Sequence, residues 1–469
     1  MNRDLFTGRQ VLVMGLGRFG GGLDTAQFAC RAGAKVTVTD LANAEQLSDS
    51  ISRLKEFPNI EFHLGGHIAS DFEQADIVIA NPAVPPDNEF LQIAKQRNKP
   101  IASQIGIFFE LCPATIIGIT GANGKSTTAA LTAHLLRAAT PKSTGHRSRV
   151  TSHERVHLSG NIGNEPLLTI LDEIAPDDLI VLELSSFQIE QLAQIRKAPH
   201  VALLTNLTPN HLDRYGTFEA YCAAKENIFK FQQNDWGPPA VSIFNAEDKI
   251  ASEWFDKYSK EQGRVCIRFS PADVGDDIRS QFRLPGRANL SNLAAALAVA
   301  RHFGVDDESI KACLPDFKAL PHRLELVAEI KGVRWYNDSK ATTPEGAITA
   351  LEAFDEPEII IAGGYDKRIP FDDLGERIAQ KARAAILMGQ TAEKIAASIR
   401  SSLRATSDER PAREIKIVNS LAEAVERARQ LAAPGDVVLL SPACASYDMF
   451  ENYEHRGRQF AALVRRITD

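Results

Sequence analysis

The sequence predicts an α/β protein of three domains, each built on a mostly parallel sheet with helices packed on its faces. Three observations predict it. Short β-branched runs alternate with helical segments along almost the whole chain, the order that crossover connections impose on parallel strands. At 469 residues the chain exceeds what one hydrophobic core supports. Two glycine-rich turns, Gly15–Gly20 and Gly118–Gly124, each stand between a strand and a helix.

In order, Gln10–Met14 reads as a strand, Gly20–Ala32 as a helix, Lys35–Thr39 as a strand ending at Asp40, and Ile77–Ala80 as a later strand. Residues 81–87, with three prolines, read as a rigid loop, because proline fixes φ and lacks a backbone donor. The second domain holds the strand Thr115–Ile119, a helix from about Lys125, and the strands Leu179–Leu184, Val201–Leu204 and Val241–Phe244. An alanine-rich helix, Leu290–Phe303, closes it. Beyond Pro321 come Arg334–Tyr336, Glu358–Ala362, Ala385–Met388 and Asp436–Leu440. The expected domains are 1–104, Rossmann-like; 105–319, a phosphate-loop ATPase-like domain; and 320–469, again Rossmann-like. Residues 140–157 are polar and basic without periodicity and read as a surface excursion.

Composition narrows the function. A net charge of −7 gives no support to nucleic-acid binding. No apolar run approaches the roughly 18 residues that span a bilayer, and Arg3 and Asp4 precede the first strand without a signal-peptide core. The six cysteines are scattered and never form C-x-x-C, which predicts reduced thiols in a cytoplasm, without a zinc site or disulfide frame.

The run Gly118-Ile-Thr-Gly121-Ala-Asn123-Gly124-Lys125-Ser126-Thr127-Thr128 follows an apolar strand and opens a helix. Backbone N–H groups of such a turn converge where the helix dipole also favours an anion. Lys125 supplies a cation for terminal phosphates and Ser126 a hydroxyl for magnesium, although Ile119 stands where a generic phosphate loop has its first glycine. This predicts an ATP site. Gly15-Leu16-Gly17-Arg18-Phe19-Gly20, with Asp40 twenty residues on, is the dinucleotide fingerprint. It fits NAD, FAD or another nucleotide; beside an ATP domain, a nucleotide diphosphate belonging to the substrate is the better account. Glu183 leaves a buried strand toward the crevice where α/β ligands bind, as a magnesium ligand or a capping carboxylate. His211 lies in a polar loop after Val201–Leu204, as a second metal ligand or a plain polar group. Lys225 sits among alanines on a helix, which would leave its head accessible to the crevice; the other reading is an ordinary surface lysine. In the third domain Asn337–Thr343, Ala362–Arg368 and Ser441–Asp448 are loops at strand C-termini, and three together suggest a substrate site. Lys340, Lys367 and Arg323 suit a carboxylate or phosphate, and Ser446 reads as a hydrogen-bond donor, not a nucleophile.

Together these stretches resemble the Mur ligase family, ATP-dependent amide-forming enzymes of peptidoglycan synthesis. The similarity runs from Gly15 to Phe460 through the phosphate loop, the loop Asn206–Tyr215, and Ser441–Gly457, the last most like the D-glutamate-adding branch. The resemblance implies ATP and two magnesium ions, with UDP-N-acetylmuramoyl-L-alanine and D-glutamate as substrates of a monomer. It implies catalytic and metal roles for Lys125, Ser126, Glu183, His211 and Lys225, the last as a carbamate. ATP would meet Gly121, Asn123, Gly124, Lys125, Ser126, Thr127, Asn289, Arg323, Asp338 and Lys340. The uridylyl substrate would meet Leu16, Gly17, Asp40, Asn81, Pro82, Ala83, Asn161 and His211, and D-glutamate would meet Thr342, Lys367, Ser446, Tyr447 and Tyr453. Two positions depart from the family pattern: Arg287 and Ala288 precede Asn289 without the usual histidine, and Leu41 follows Asp40 in place of a polar residue. The implied chemistry is γ-phosphoryl transfer to a carboxylate, then attack of an amine on the acyl phosphate. Rival readings are a sibling ligase for another amino acid, an NAD-linked oxidoreductase resting on Gly15–Gly20 alone, and a non-catalytic nucleotide sensor.

Overall fold

The structure, a computed structural model, describes residues 3–17, 20–138, 155–162, 166–232, 239–405 and 414–467. Their strands form three sheets. The first comprises β1 (Gln10–Met14), β2 (Lys35–Asp40), β3 (Ile60–Leu64), β4 (Ile77–Ala80) and β5 (Ile101–Ala102), parallel in the order β3-β2-β1-β4-β5. The second comprises β6 (Thr115–Thr120), β7 (Val156–Gly160), β8 (Leu179–Glu183), β9 (Val201–Leu204), β10 (Ala240–Asn245) and β11 (Arg264–Phe269). It is parallel in the order β11-β10-β9-β6-β8-β7. The third comprises β12 (Glu325–Ile330), β13 (Val333–Asn337), β14 (Glu358–Ala362), β15 (Ala382–Leu387), β16 (Glu414–Ile417) and β17 (Val437–Leu440). Its order is β12-β13-β17-β14-β15-β16, mixed because β12 runs antiparallel to β13.

The chain divides into two compact units, Met1–Val274 with Asn292–Cys313, and Gly275–Ser291 with Leu314–Asp469. The first carries two sheets and the second carries one. Strand order places the sites. In the first sheet β1 lies between β2 and β4, and in the second β6 lies between β9 and β8, so successive crossovers leave to opposite sides and open a crevice at the strands' C-terminal ends. Both glycine-rich turns leave those two strands. The apolar runs make the walls: Ile116, Ile117 and Ile119 of β6 and Ile180, Val181 and Leu182 of β8 are all buried.

Two expectations need correction. The surface excursion predicted for 140–157 does not reach 157: residues 139–154 lie outside those described, but Val156 and His157 begin β7 and pair with Leu179 and Ile180. The strand sits at a sheet edge, half in solvent, so its polar residues hide the pattern. Arg18 and Phe19 of the first glycine turn also lie outside the described residues. The other correction, for Lys225, belongs to the site. Among the described residues no helix is long and apolar enough to cross a membrane, and none of the six cysteines is in a disulfide.

Candidate active site

The phosphate loop is built so that only glycine fits at two positions. Gly121 has φ +148°, and a Cβ there would stand 1.9 Å from Thr205 Oγ1; Gly124 has φ +81°, and its Cβ would meet Asn292 Oδ1 at 2.2 Å. The neighbouring loop clamps the turn: Ala122 N donates to Asn206 O (2.8 Å), Asn123 N to Asn206 Oδ1 (2.9 Å), and Thr205 Oγ1 to Asn123 O (2.6 Å). The helix Lys125–Arg137 starts at Gly124, which buries Ser126 and Thr127. Lys125 Nζ folds over the turn onto the carbonyls of Gly121 (3.1 Å) and Ala122 (2.9 Å).

Ser126 Oγ donates to Glu183 Oε2 at 2.5 Å, and Asn161 Nδ2 donates to Oε1 of the same buried carboxylate at 3.3 Å. Asn161 is held there by its own N–H on Glu183 O (2.9 Å), at a close approach where Gly160 (φ +96°) leaves no room for a Cβ.

Lys225 is not accessible to the crevice as its alanine neighbours suggested; it is 1% exposed. Packing against the Tyr221 ring, 5.1 Å away, covers it, and Nζ donates to Thr120 Oγ1 at 3.0 Å. Burial, reinforced by the charge of Lys125, holds its pKa well below the ordinary 10.5 despite Glu183. Glu226, its sequence neighbour, pairs instead with Lys257 (2.6 Å) and Tyr258 Oη (3.1 Å). His211 has φ +52° and sets its ring 5.0 Å from Phe187. Burial lowers its pKa against the opposing charge of Asp213, with Lys225, Lys125 and Arg214 adding to the lowering. Two of the predicted metal residues, Ser126 and Glu183, are therefore joined directly, whereas the His211 ring packs against Phe187. Among the described residues no group of three or more His, Cys, Asp or Glu could hold a metal.

At the N-terminal turn Gly17 N donates to Asp40 Oδ2 (3.0 Å), while Oδ1 takes Ala42 N (2.8 Å). The Leu16 side chain is fully buried. Asn81 closes on Gly15, where a Cβ would come within 2.9 Å, and its Oδ1 accepts from Ala83 N beyond Pro82.

In the second unit Asp338 is buried; Ser441 Oγ (2.8 Å) and Leu324 N (3.2 Å) donate to it, yet burial pushes its pKa up to about 7. Lys340 Nζ lies 5.4 Å from the Tyr453 ring, and Lys367 Nζ donates to Thr342 O at 3.4 Å. Arg323 acts on the charge of both Asp338 and Tyr453. Ser446 is buried, whereas Tyr447 is exposed and meets Tyr365 edge-on at 6.3 Å. Asn289 stands apart on the 275–291 segment, donating to Pro285 O at 2.8 Å.

Sequence reasoning missed the residues that hold these loops. Asn206 was visible as a polar residue just past a strand's C-terminal end. Arg456 gave no such signal. It is fully buried, and its guanidinium donates to Ser339 Oγ (2.9 Å), Ser339 O (2.8 Å) and Cys444 O (3.1 Å), tying two loops to the helix Tyr453–Val464.

Residues 9–103 match the Mur ligase MurD-like N-terminal domain, 119–281 the Mur ligase middle domain, and 322–444 the Mur ligase glutamate ligase domain. The chain is 39% identical to the UDP-N-acetylmuramoylalanine--D-glutamate ligase of Roseiflexus sp. (strain RS-1), over 98% of this chain and 99% of that protein. With the protein of that name from Acidobacterium capsulatum it shares 37%, over 97% and 96%. The pseudomurein peptide ligase type C of Methanothermus fervidus has the same fold at TM-score 0.53 and 16% identity, covering 98% of this chain and 100% of that one. A phosphate loop on the central strand of its sheet, matched segments in all three sheets and relatives aligned end to end lead to one conclusion: the chain belongs to the Mur ligase family.

Proposed function

We infer that the chain is an ATP-dependent ligase that joins D-glutamate to the carboxylate of UDP-N-acetylmuramoyl-L-alanine, for peptidoglycan. The observation that carries this is the end-to-end alignment with relatives of that name, which spans the turn at Gly15–Gly17, the phosphate loop and the acceptor-side loops alike. The three expected domains, 1–104, 105–319 and 320–469, then correspond to three ligands. It works as a monomer in the cytoplasm.

Gly121, Asn123, Gly124 and Thr127 would line the ATP phosphates, and Lys125 would exchange its two carbonyl partners for them, neutralising charge as the γ-phosphoryl moves to the substrate carboxylate. Asp338, Arg323, Lys340 and Asn289 would hold the nucleoside end. Asp40, Gly17, the Leu16 backbone and Asn81–Ala83 would hold the uridine diphosphate. Lys367, Thr342, Ser446, Tyr447 and Tyr453 would orient D-glutamate, whose amine attacks the acyl phosphate and expels phosphate.

The donors at Ser126, Glu183 and Asn161 are oxygens or an amide beside the phosphate loop, which suits magnesium. Magnesium would supply charge neutralisation there. A second ion would need Lys225 as a carbamate: its neutral nitrogen adds to carbon dioxide and loses a proton to water, giving an anionic oxygen donor in place of an amine. His211 would complete that side.

The test is ADP release with UDP-N-acetylmuramoyl-L-alanine across a panel of amino acids. Turnover with D-glutamate alone is expected. Turnover with a different amino acid would move the chain to a sibling activity, and a nicotinamide absorbance change would restore the oxidoreductase reading.

A further inference from the structure

We propose that Asp24 is a positioning residue that fastens the N-terminal glycine turn to the Asn161–Glu183–Ser126 group. Asp24 is 5% exposed and lies on the helix Gly21–Arg31, yet its partners come from other elements. Oδ2 accepts from Leu167 N (3.0 Å), Leu168 N (2.7 Å) and Gln104 Nε2 (2.7 Å). Oδ1 accepts from Thr169 N (3.0 Å) and Thr169 Oγ1 (2.8 Å). Three consecutive backbone N–H groups thus aim at one buried carboxylate from a segment more than 140 residues away in sequence.

The link is continuous in both directions. On one side, a Cβ on Gly22 would stand 2.2 Å from Gly15 O and 2.4 Å from Leu16 O, so the start of the Asp24 helix rests directly on the turn. That turn holds Asp40 through Gly17 N. On the other side, the residue before Leu167 is tied back to β7, because Ser159 Oγ donates to Pro166 O at 2.8 Å. Two residues along, Asn161 meets Glu183, and Glu183 meets Ser126. The whole path lies in the first compact unit.

A purely structural contact at this place has a cheaper solution. Apolar side chains of similar size bury without the cost of desolvating a charge. Apolar contacts slide, however, whereas five directed hydrogen bonds fix one register. Two part-buried ties, Arg214 Nη1 to Pro82 O (3.3 Å) and Gln191 Nε2 to Ala80 O (3.3 Å), are longer and single. Asp24 is the buried, multiply bonded one. Its role rests on the ligase reading for its catalytic consequence: the substrate held at the turn must present its carboxylate at the phosphate loop, and misplacement by an ångström costs on the order of 100-fold in rate.

The experiment compares the full chain with Asp24→Ala, which removes both acceptors, and Asp24→Asn, which keeps one. Amide hydrogen exchange at residues 167–169 should accelerate at least tenfold in Asp24→Ala and by less in Asp24→Asn. Affinity for UDP alone should stay within twofold, because Asp40 and the turn remain. The D-glutamate-dependent kcat should fall by about 10- to 100-fold in Asp24→Ala with KM for ATP unchanged, and Asp24→Asn should recover part of it. Unchanged exchange at 167–169, or lost protection with unchanged kcat, would overturn the proposal. If Asp24→Ala does not fold, Asp24→Asn decides by the same two readings. Absence of D-glutamate-dependent turnover in the unaltered protein would sink the proposed function, and the exchange comparison would still decide whether Asp24 holds the segment.

Discussion

At the scale of the residue, burial of charge sets the sharpest expectations. Burial lowers the pKa of Lys225 beside the phosphate loop, which favours the neutral amine, the form that attacks carbon dioxide. Lys225→Ala should lose ligation, and added small carboxylic acids should restore part of it; full turnover of the variant without them would remove the lysine from catalysis. Lys125→Ala should cost on the order of 3 kcal/mol of transition-state stabilisation while UDP still binds, as ADP-release kinetics and UDP titration can check. Glu358, at the start of β14, is fully buried, and neither carboxylate oxygen has a partner among the described residues. Burial raises its pKa from 4.5 to about 8. The protonated form is favoured in the folded state, so its stabilisation is complete below pH 4.5 and lost as pH rises toward 8. Through this group the protein should lose roughly 4 kcal/mol of stability across that window. Glu358→Gln should flatten that share of the dependence in chemical denaturation at pH 5 and pH 8; an unchanged slope would show that Glu358 is ionised throughout.

At the scale of the element, each strand predicted from the sequence proves to be an interior one. The strands left unpredicted are the edges of the three sheets: β3 and β5, β7 and β11, β12 and β16. The reason is physical. An interior parallel strand is covered on both faces and shows an unbroken apolar run, as Val437–Leu440 does. An edge strand such as Glu325–Ile330 or Glu414–Ile417 is half in water and carries charge, which also guards it against pairing with other chains. Only the hairpin turn at Lys331-Gly332, with φ of +52° and +74°, could have signalled β12. The loops at the ends of interior strands were therefore legible, but not what holds them. Arg456, buried between two of those loops, should tolerate no substitution by Lys, which lacks the planar fork. Arg456→Lys should lower stability by about 3 kcal/mol and raise KM for D-glutamate more than that for the uridylyl substrate. Equal effects on both KM values would make it a plain core residue.

At the scale of the whole molecule, the two compact units predict separable stability. In calorimetry UDP should raise only the transition of the unit bearing the Gly15–Gly17 turn, by about 2.7 kcal/mol at a hundredfold excess over its dissociation constant. A single transition that moves as a whole would show that the units unfold together. What the sequence determined by itself was local: the interior strands, the two glycine turns, and the polar loops after them, because each depends on residues adjacent in the chain. The metal roles proposed for His211 and Lys225 rest on resemblance, since one histidine or lysine has no local signature. Only the tertiary structure decided that Lys225 is buried, that Glu183 meets both Ser126 and Asn161, and that Asp24 receives the amides of residues 167–169. Those facts depend on which distant segments share a low-dielectric interior, and sequence spacing carries no record of that.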